Sequence, residues 1–307
     1  MRLYVANDTS SQAAGSDRLA QHLAAVPGVD VVRTSSRGAF FLEPMVERDS
    51  PDGRLIWCHV TPDQIPSILA GTGGQRLHEI PFLHHQQRIT FANFGETEPL
   101  SLDLYRARDG WVGWQAAQQG APETIIQELK ASQLRGRGGA AFPVWIKWDV
   151  ARRTEADRKY VVANADEGDA GTYCDRMIME GDPFRLLEGM LICARAIGAE
   201  HGYIYCRHEY PAAARTIRRA IEAAEAAGLL QVDARPFQIE VVLGAGSYVC
   251  GEETALLESL EGRRGVVRAK PPYPAVAGLY QRPTIVSNVL TFATVPSILA
   301  HGGSWFA

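Results

Sequence analysis

A glycine-rich loop is the first feature of this sequence that suggests chemistry. Its glycines are Gly136, Gly138 and Gly139, with Arg137 between them and Lys147 beyond. Because glycine has no Cβ and adopts positive φ readily, this backbone can approach a flat or phosphorylated ligand, and the basic residues favour an anionic one. The spacing fits neither the dinucleotide fingerprint nor the P-loop, and ordinary turns also carry glycines beside basic residues.

Acidic and amide side chains follow a short apolar segment at residues 160–163, which predicts a buried strand. They are Asn164, Asp166, Glu167 and Asp169. Ligands of open α/β sheets bind at the carboxyl ends of strands, so these residues are candidates for ligand contacts. The alternative is an acidic turn that only caps the next helix.

A second glycine-rich segment, residues 244–256, also follows an expected strand. It places Gly251, Glu252 and Glu253 where a helix should begin. Adjacent carboxylates there can accept hydrogen bonds from ribose hydroxyls and would repel an extra phosphate. The alternative is that they only complement the helix dipole.

Two later segments add polar and aromatic groups. Residues 268–274 form a proline-stiffened loop that carries Tyr273. Ser287 and Asn288 stand close to the expected start of another helix. Both segments are candidates for the same site as the earlier motifs.

The elements around these motifs predict an α/β fold in two parts. Residues 1–75 alternate strand and helix patterns and resemble a thioredoxin-like domain, but they lack C-x-x-C, so we expect a docking or spacer module. Residues 76–120 are expected to be a linker with a short strand at 88–92. Residues 121–307 are expected to form a domain of alternating strands and helices. The predicted strands are 3–5, 29–32, 44–46, 54–60, 160–163, 201–206 and 237–242, and the predicted helices are 17–26, one opening at 61–64, 122–132, 183–197 and 211–227.

Composition narrows the class of protein. The 307 residues are 46% hydrophobic and 21% charged, as in globular domains, and the net charge of −4 argues against a nucleic-acid surface. No apolar run is long enough for direct membrane insertion, and the N-terminus does not read as a signal peptide, so we expect a cytoplasmic protein. The five cysteines are scattered, which argues against a metal site built from this chain alone.

Taken together and in order, the motifs resemble the 51 kDa-type flavoprotein subunit of respiratory complex I and its relatives in NAD-reducing hydrogenases and formate dehydrogenases. The resemblance runs from Pro99 to the end of the chain and rests on the strings LRGRGGAAFP, NADE, GTYxDR, YVCGEETAL and ESLEGRR. The sequences of residues 163–169 and 265–270, together with the thioredoxin-like N-terminal region, are most similar to the β subunit of a molybdenum- or tungsten-dependent, NAD-linked formate dehydrogenase.

The resemblance implies two cofactors, FMN and NAD(H), and a hydride transfer between them. Hydride would move directly from nicotinamide to flavin, so no side chain is expected to be a catalytic acid or base. The residues implied for FMN are Gly136, Arg137, Gly138, Gly139, Lys147, Asn164, Asp166, Tyr248, Gly251, Glu252 and Asn288, with Glu167 and Ser287 in the same motifs. Those implied for NADH are Phe142 and Tyr273 at the adenine and Glu253 and Asp169 at the adenosine ribose.

Several departures from the family accompany the resemblance. Ser287 stands where relatives usually have an asparagine, Leu290 replaces an acid, and Val150 replaces an aromatic residue. Relatives continue into a ubiquitin-like domain and a helical bundle that holds a [4Fe–4S] cluster, whereas this chain stops at Ala307 without such ligands. We therefore expect a chain truncated before that domain, or a protein that has lost it, with no metal site of its own.

The implied partners are a small [2Fe–2S] thioredoxin-like subunit and a large molybdopterin-containing catalytic subunit. Two alternatives stay open. The chain is the equivalent flavoprotein subunit of an NAD-reducing hydrogenase or of complex I, or it is a non-catalytic assembly subunit that keeps the fold.

Overall fold

The protein, described by a computed structural model over residues 1–307, divides into two compact units. The first comprises Met1–Leu104 with Glu180–Asp182, and the second comprises Tyr105–Met179 with Pro183–Ala307. The segment 76–120, expected to be a linker, is thus divided between the two units.

A five-stranded mixed sheet forms the first unit. Its strands are β1 Arg2–Ala6, β2 Asp30–Thr34, β3 Val46–Ser50, β4 Gly53–Trp57 and β5 Gln75–Arg76, in the order β2-β1-β3-β4-β5. Strand β1 pairs parallel with β2 and antiparallel with β3, which agrees with the thioredoxin-like expectation. The helices between the N-terminus and Arg106 are α1 Thr9–Ala13, α2 Ser16–Ala24, α3 Ile65–Ala70, α4 Pro81–His84 and α5 Leu102–Arg106.

Alternating apolar residues explain why this sheet forms. Leu3 and Val5 of β1 are buried with Leu23 of α2 and Ile68 of α3 in one hydrophobic cluster. Asp8 ends the first loop and caps α1 by accepting hydrogen bonds from the backbone N–H groups of the next turn.

Two predicted elements of this region are wrong. Residues 88–92 form turns instead of a strand, because their backbone groups bond locally, as in Ala92 N–H to the Ile89 carbonyl. The strand predicted at 44–46 begins only at Val46, since Pro44 has no N–H to donate to a ladder.

The second unit is built on a four-stranded parallel sheet. Its strands are β6 Tyr160–Ala165, β7 His201–Cys206, β10 Gln238–Leu243 and β11 Thr284–Asn288, in the order β10-β7-β6-β11, with a hairpin of β8 Gln231–Val232 and β9 Arg235–Pro236. Its helices are α6 Val112–Gln119, α7 Pro122–Ala131, α8 Val144–Arg153, α9 Cys174–Gly181, α10 Pro183–Ile197, α11 Pro211–Ala226, α12 Glu253–Leu260, α13 Pro274–Ala277, α14 Val289–His301 and α15 Gly303–Phe306.

This sheet and its helices confirm the α/β prediction. Helix α10 and strand β7 have the predicted bounds, and α10 is buried along almost its whole length. A fully buried helix packs on several neighbours at once, which is why apolar residues occur on all sides of α10. None of the helices is both long and apolar enough to cross a bilayer.

Candidate cofactor-binding site

Two asparagines lie side by side at the carboxyl ends of two central strands. Strands β6 and β11 pair in parallel, and Asn164 is in register with Asn288. After β6 the chain builds β7 and β10 on one side, and it then returns to place β11 on the other side. Open α/β sheets bind ligands at the carboxyl ends of the two strands between which the strand order reverses, here β6 and β11.

The glycine-rich loop is tied to this position by α14. The bridge between Arg135 and Pro143 closes the loop, and its inner backbone is exposed. Arg137 N–H donates to Oγ1 of the buried Thr291 over 2.9 Å. A Cβ atom on Gly138 would lie 3.3 Å from the Cβ of Asn288, so the loop lies close to the end of β11.

The loop after β6 provides acceptors. The Asn164 side chain donates to the Gly251 carbonyl over 2.8 Å, and its own carbonyl accepts from Asp166 N–H. Oδ2 of Asp166 is buried without a hydrogen-bond partner. Burial raises the pKa of Asp166, and the Arg207 guanidinium opposes that shift. Buried acceptors normally have a hydrogen-bond partner, so this oxygen is available to an incoming donor.

Two lysines neutralise the acid pair at the start of α12. Glu252 caps the helix through the N–H groups of its first turn, while Lys270 Nζ lies 2.8 Å from Glu252 and 2.9 Å from Glu253. Lys147 Nζ donates to the Val286 carbonyl of β11 and lies 3.6 Å from Glu253. Burial lowers the pKa of Lys147, and Glu253 partly offsets this. The site therefore carries both signs of charge in contact.

Exposed aromatic rings accompany these groups. Tyr248 is 80% exposed, Tyr273 58% and Phe142 48%. Large aromatic side chains normally gain free energy by burial, so rings left open are available to stack on a planar ligand. The Tyr248 ring lies against Gly168, where a Cβ would come within 2.6 Å of it.

Other predicted site residues have local roles. The buried Glu167 accepts hydrogen bonds from Asp175 N–H, Arg176 N–H and the Tyr210 hydroxyl, so it caps α9. Asp169 accepts from Gly171 N–H within its own turn. Ser287 is buried near the end of β11.

Three residues of the site were missed by sequence reasoning. Thr291 anchors the glycine loop, Lys270 bridges the two glutamates, and Asp175 accepts from the Asn288 side chain over 2.7 Å. Asp175 and Lys270 lie inside the motifs named above, and this location in a motif could have identified them as candidate site residues. Thr291 lies one turn after the capping Asn288, a position that gives no signal by itself.

Comparison with known proteins agrees with this arrangement. A protein-family model described as the Nuo51 FMN-binding domain matches residues 129–297. The chain is 46% identical over 226 residues to the NADP-reducing hydrogenase subunit HndC of Solidesulfovibrio fructosivorans, covering 72% of this chain and 46% of the relative. It is also 46% identical over 224 residues to an NADH-quinone oxidoreductase subunit of Escherichia coli K12, covering 71% of this chain and 50% of the relative.

A solved structure is similar along nearly the whole chain. The crystal structure of an NAD⁺-reducing [NiFe]-hydrogenase in the H₂-reduced state aligns with a TM-score of 0.60 and 28% identity, covering 99% of this chain and 53% of that one. The chain thus spans about half the length of the relatives it matches. On these motifs, this sheet and these matches, the chain belongs to the family of 51 kDa-type flavoproteins that carry the Nuo51 FMN-binding domain.

Proposed function

We propose that this chain binds FMN and NAD(H) and forms an NADH:acceptor oxidoreductase module of a larger enzyme. One observation carries the proposal: Asn164 and Asn288 stand in register at the switch point of the parallel sheet, with the glycine loop held over them. Family membership supports the cofactor, because the matched domain is described as FMN-binding.

The residues present fit FMN. The exposed glycine loop offers backbone N–H groups and close approach, and Gly139 has φ of +102°, a conformation that disfavours other residues. The orphaned Oδ2 of Asp166 suits a hydroxyl donor such as those of a ribityl chain. The exposed rings of Tyr248 and Tyr273 suit planar ligands. Donors, acceptors and stacking faces are thus all represented among the residues proposed for the site.

The side chains would bind and orient rather than transfer protons. FMN, when bound, supplies a two-electron acceptor for the hydride of NADH. Gly138, Lys147 and Asn164 would hold the flavin, and Asn288 would reach its phosphate end. Glu253 and Asp169 would approach the adenosine ribose of NADH, with Phe142 and Tyr273 at the adenine. Positioning of this kind would lower the activation barrier to hydride transfer through orientation and electrostatics.

Two measurements on the purified full chain test the module. FMN added to flavin-free protein should bind stoichiometrically, and NADH should then reduce a dye such as ferricyanide. A chain that binds no flavin would contradict the proposal. Flavin binding without NADH-driven reduction would instead favour a non-catalytic assembly subunit.

We propose an NAD-linked formate dehydrogenase as the host enzyme, from the wording of residues 163–169 and 265–270 and the thioredoxin-like first unit. The partners would then be a small [2Fe–2S] subunit and a large molybdopterin-containing subunit, in the cytoplasm. A hydrogenase is the second candidate, because the similar [NiFe]-hydrogenase structure aligns over 99% of this chain.

The native complex distinguishes these hosts. It should be isolated through a tag on this chain and offered formate or H₂ with NAD⁺. Formate-dependent formation of NADH supports the first host. H₂-dependent formation supports the second, and activity with NADH and quinone alone points to a complex I-type host.

A further inference from the structure

A buried carboxyl group holds the asparagine at the end of β11. Oδ2 of Asp175, in the first turn of α9, accepts from Nδ2 of Asn288 over 2.7 Å. The Asn288 carbonyl oxygen accepts from Leu290 N–H over 2.9 Å at the start of α14. Because one end of the amide meets a donor and the other an acceptor, these two bonds fix the amide in a single orientation.

The second oxygen of Asp175 has no partner. Asp175 is 4% exposed, and its Oδ1 is buried without a hydrogen bond. An ionised carboxylate needs several donors to offset its lost hydration, and this one has few. The geometry therefore favours a neutral carboxyl.

The groups around Asp175 strengthen this preference. The Glu167 carboxylate accepts from Asp175 N–H, and Cys174 and Arg176 flank it on α9. The Arg176 guanidinium lies over the Tyr210 ring. Burial first, and then the charge of Glu167, raise the pKa of Asp175 to about 8, although the hydrogen bond from Asn288 and the nearby Leu290 N–H lower it.

We propose that Asp175 is a positioning residue for FMN: its neutral carboxyl holds Asn288 ready for the flavin phosphate, and its ionisation weakens flavin binding. The inference rests on the proposed function, in which Asn288 reaches the phosphate end of FMN. Ionisation of Asp175 would place a negative charge against Asn288, the residue that meets the doubly charged phosphate of FMN. The proposal therefore predicts that the affinity for FMN falls at alkaline pH and that this loss requires the phosphate.

The size of the effect follows from proton linkage. When binding requires one protonated group, the dissociation constant rises tenfold per pH unit above the pKa of that group, so affinity at pH 9 should be about tenfold weaker than at pH 7. The phosphate itself, with a second pKa of about 6, is already ionised across this range. Its own titration therefore does not produce the slope.

The test measures the dissociation constants of FMN and riboflavin, by quenching of flavin fluorescence, on the flavin-free full chain from about pH 6.5 to about pH 9.5. FMN should weaken about tenfold between pH 7 and pH 9, and riboflavin, which lacks the phosphate, should stay constant. Asp175→Asn keeps an acceptor for Asn288 and cannot ionise, so its FMN affinity should not change with pH.

Two further variants separate the groups near Asp175. Cys174→Ser should keep the slope, because the thiol is not its source. Glu167→Gln should move the midpoint to lower pH, since it removes the like charge, and it maintains the test if Asp175→Asn fails to fold.

The outcomes are distinct. A slope that persists in Asp175→Asn, is absent from the parent chain, or appears equally with riboflavin overturns the role of Asp175. If Glu167→Gln leaves the midpoint of the pH dependence of FMN affinity unchanged, the role of Asp175 is also overturned. Absence of FMN binding at every pH would mean that the proposed function itself has failed.

Discussion

At the scale of single residues, the acid pair of the site is neutralised by its own neighbours. Lys270 contacts both Glu252 and Glu253. Burial alone would lower the pKa of Lys270, but its hydrogen bonds to the two glutamates raise it. A lysine that bridges two carboxylates weakens the repulsion that these would exert on an approaching phosphate. In the proposed site, coenzyme choice would therefore depend on how much negative charge Glu253 retains.

The first prediction concerns that choice. NADH should be preferred to NADPH, because a 2′-phosphate beside Glu253 and Asp169 meets like charge, and we expect a ratio of kcat/KM of about tenfold to a hundredfold. Glu253→Gln should narrow the ratio mainly by improving NADPH. Steady-state dye reduction with both coenzymes measures it, with the exposed Glu240→Gln as control. Equal use of both coenzymes by the parent chain would refute the assignment.

The second prediction concerns the glycine loop. In Gly138→Val the new Cβ would meet Asn288 at 3.3 Å and its methyl groups would fill the space over the strand end. Overpacking of this kind costs about 1–3 kcal/mol, so FMN should bind about tenfold to a hundredfold more weakly. Flavin titration measures this, and Ala226→Val on the exposed end of α11 is the control. Unchanged stoichiometric binding would rule out the loop as the flavin contact.

The third prediction concerns Glu43 in the first unit. Burial raises the pKa of Glu43 to about 7, although its bond from Met45 N–H opposes the shift. The folded state then binds a proton that the unfolded state has lost, so stability falls as pH rises from about 4.5 to about 7. Glu43→Gln keeps the acceptor and removes the charge, and it should abolish this part of the pH dependence.

Amide exchange in β1 and β3, at pH values below and above this window, measures the effect of Glu43 without assuming two-state unfolding. The exposed Glu98→Gln serves as control and should behave as the parent chain. If the Glu43→Gln variant loses protection with pH as steeply as the parent, Glu43 is not the titrating group.

Sequence reasoning reached the site residues that lie in motifs but missed those that act through distant partners. Thr291 bonds a residue 154 positions away, and Asp175 bonds one 113 positions away. Spacing rules describe neighbours along the chain, and no local pattern encodes a bond of this range. Glu167 lies in a motif, but the motif did not determine its role, because an acid after a strand can contact a ligand or cap a helix. Its hydrogen bonds in the structure are those of a helix cap.

At the scale of elements, the contact of α10 with α14 determines where the site residues lie. Helix α14 begins at the capping Asn288 and carries Thr291, which holds the glycine loop. Gly189 of α10 lies so close to α14 that a Cβ there would be 2.0 Å from the Phe292 carbonyl oxygen. Direct backbone contact of this kind fixes the height of α14 against the sheet.

The fourth prediction follows from that contact. Gly189→Ala gains helix propensity of about 0.5–1 kcal/mol but forces the two helices apart, and the overpacking should prevail at about 3 kcal/mol or more. We expect a lower unfolding midpoint for the second unit and weaker FMN binding. Urea unfolding and flavin titration measure both. Gly136→Ala, where the nearest atom would be 3.6 Å away, is the control for stability.

Long buried elements were the easiest to predict. Helix α10 and strand β7 were found with their bounds, because apolar periodicity extends along them and glycine or proline marks their ends. Helix α9 was anticipated only as part of the alternative to a ligand-binding loop and was given no bounds, since its cap is a glutamate from the preceding loop rather than an adjacent residue. Residues 88–92 carry a β-like composition but bond locally, so composition alone misled the prediction.

At the scale of the whole molecule, the cysteines bear on electron transfer. Cys193, Cys206 and Cys250 are buried, none of the five cysteines is in a disulfide, and no group of three or more His, Cys, Asp or Glu side chains is placed to hold a metal ion. In the proposed module FMN would receive electrons in pairs, whereas iron–sulfur clusters accept them one at a time, so transfer to a cluster-bearing partner would require a cluster near the flavin. That cluster would have to come from outside these 307 residues.

The fifth prediction is that the isolated 307-residue chain contains no stoichiometric iron or acid-labile sulfide. NADH should reduce ferricyanide or quinone dyes through its flavin, while formate or H₂ should require cluster-bearing partners. Metal and sulfide analysis of the purified chain provides the measurement. One cluster per chain would refute the prediction and require ligands other than the usual cysteine spacings.

The return of the chain to place β11 beside β6 also has a consequence for biosynthesis. Asp175 leaves the ribosome 113 residues before its partner Asn288, which at 5–20 residues per second is a delay of roughly 6 to 23 s. During that time only one of the two segments of the proposed flavin site has been synthesised, and a chain that ends before Asn288 would lack the residue proposed for the flavin phosphate. If FMN binds as proposed, tight flavin binding would mark a polypeptide that has been translated at least as far as α14, and any assembly step that waits for flavin would reject shorter products.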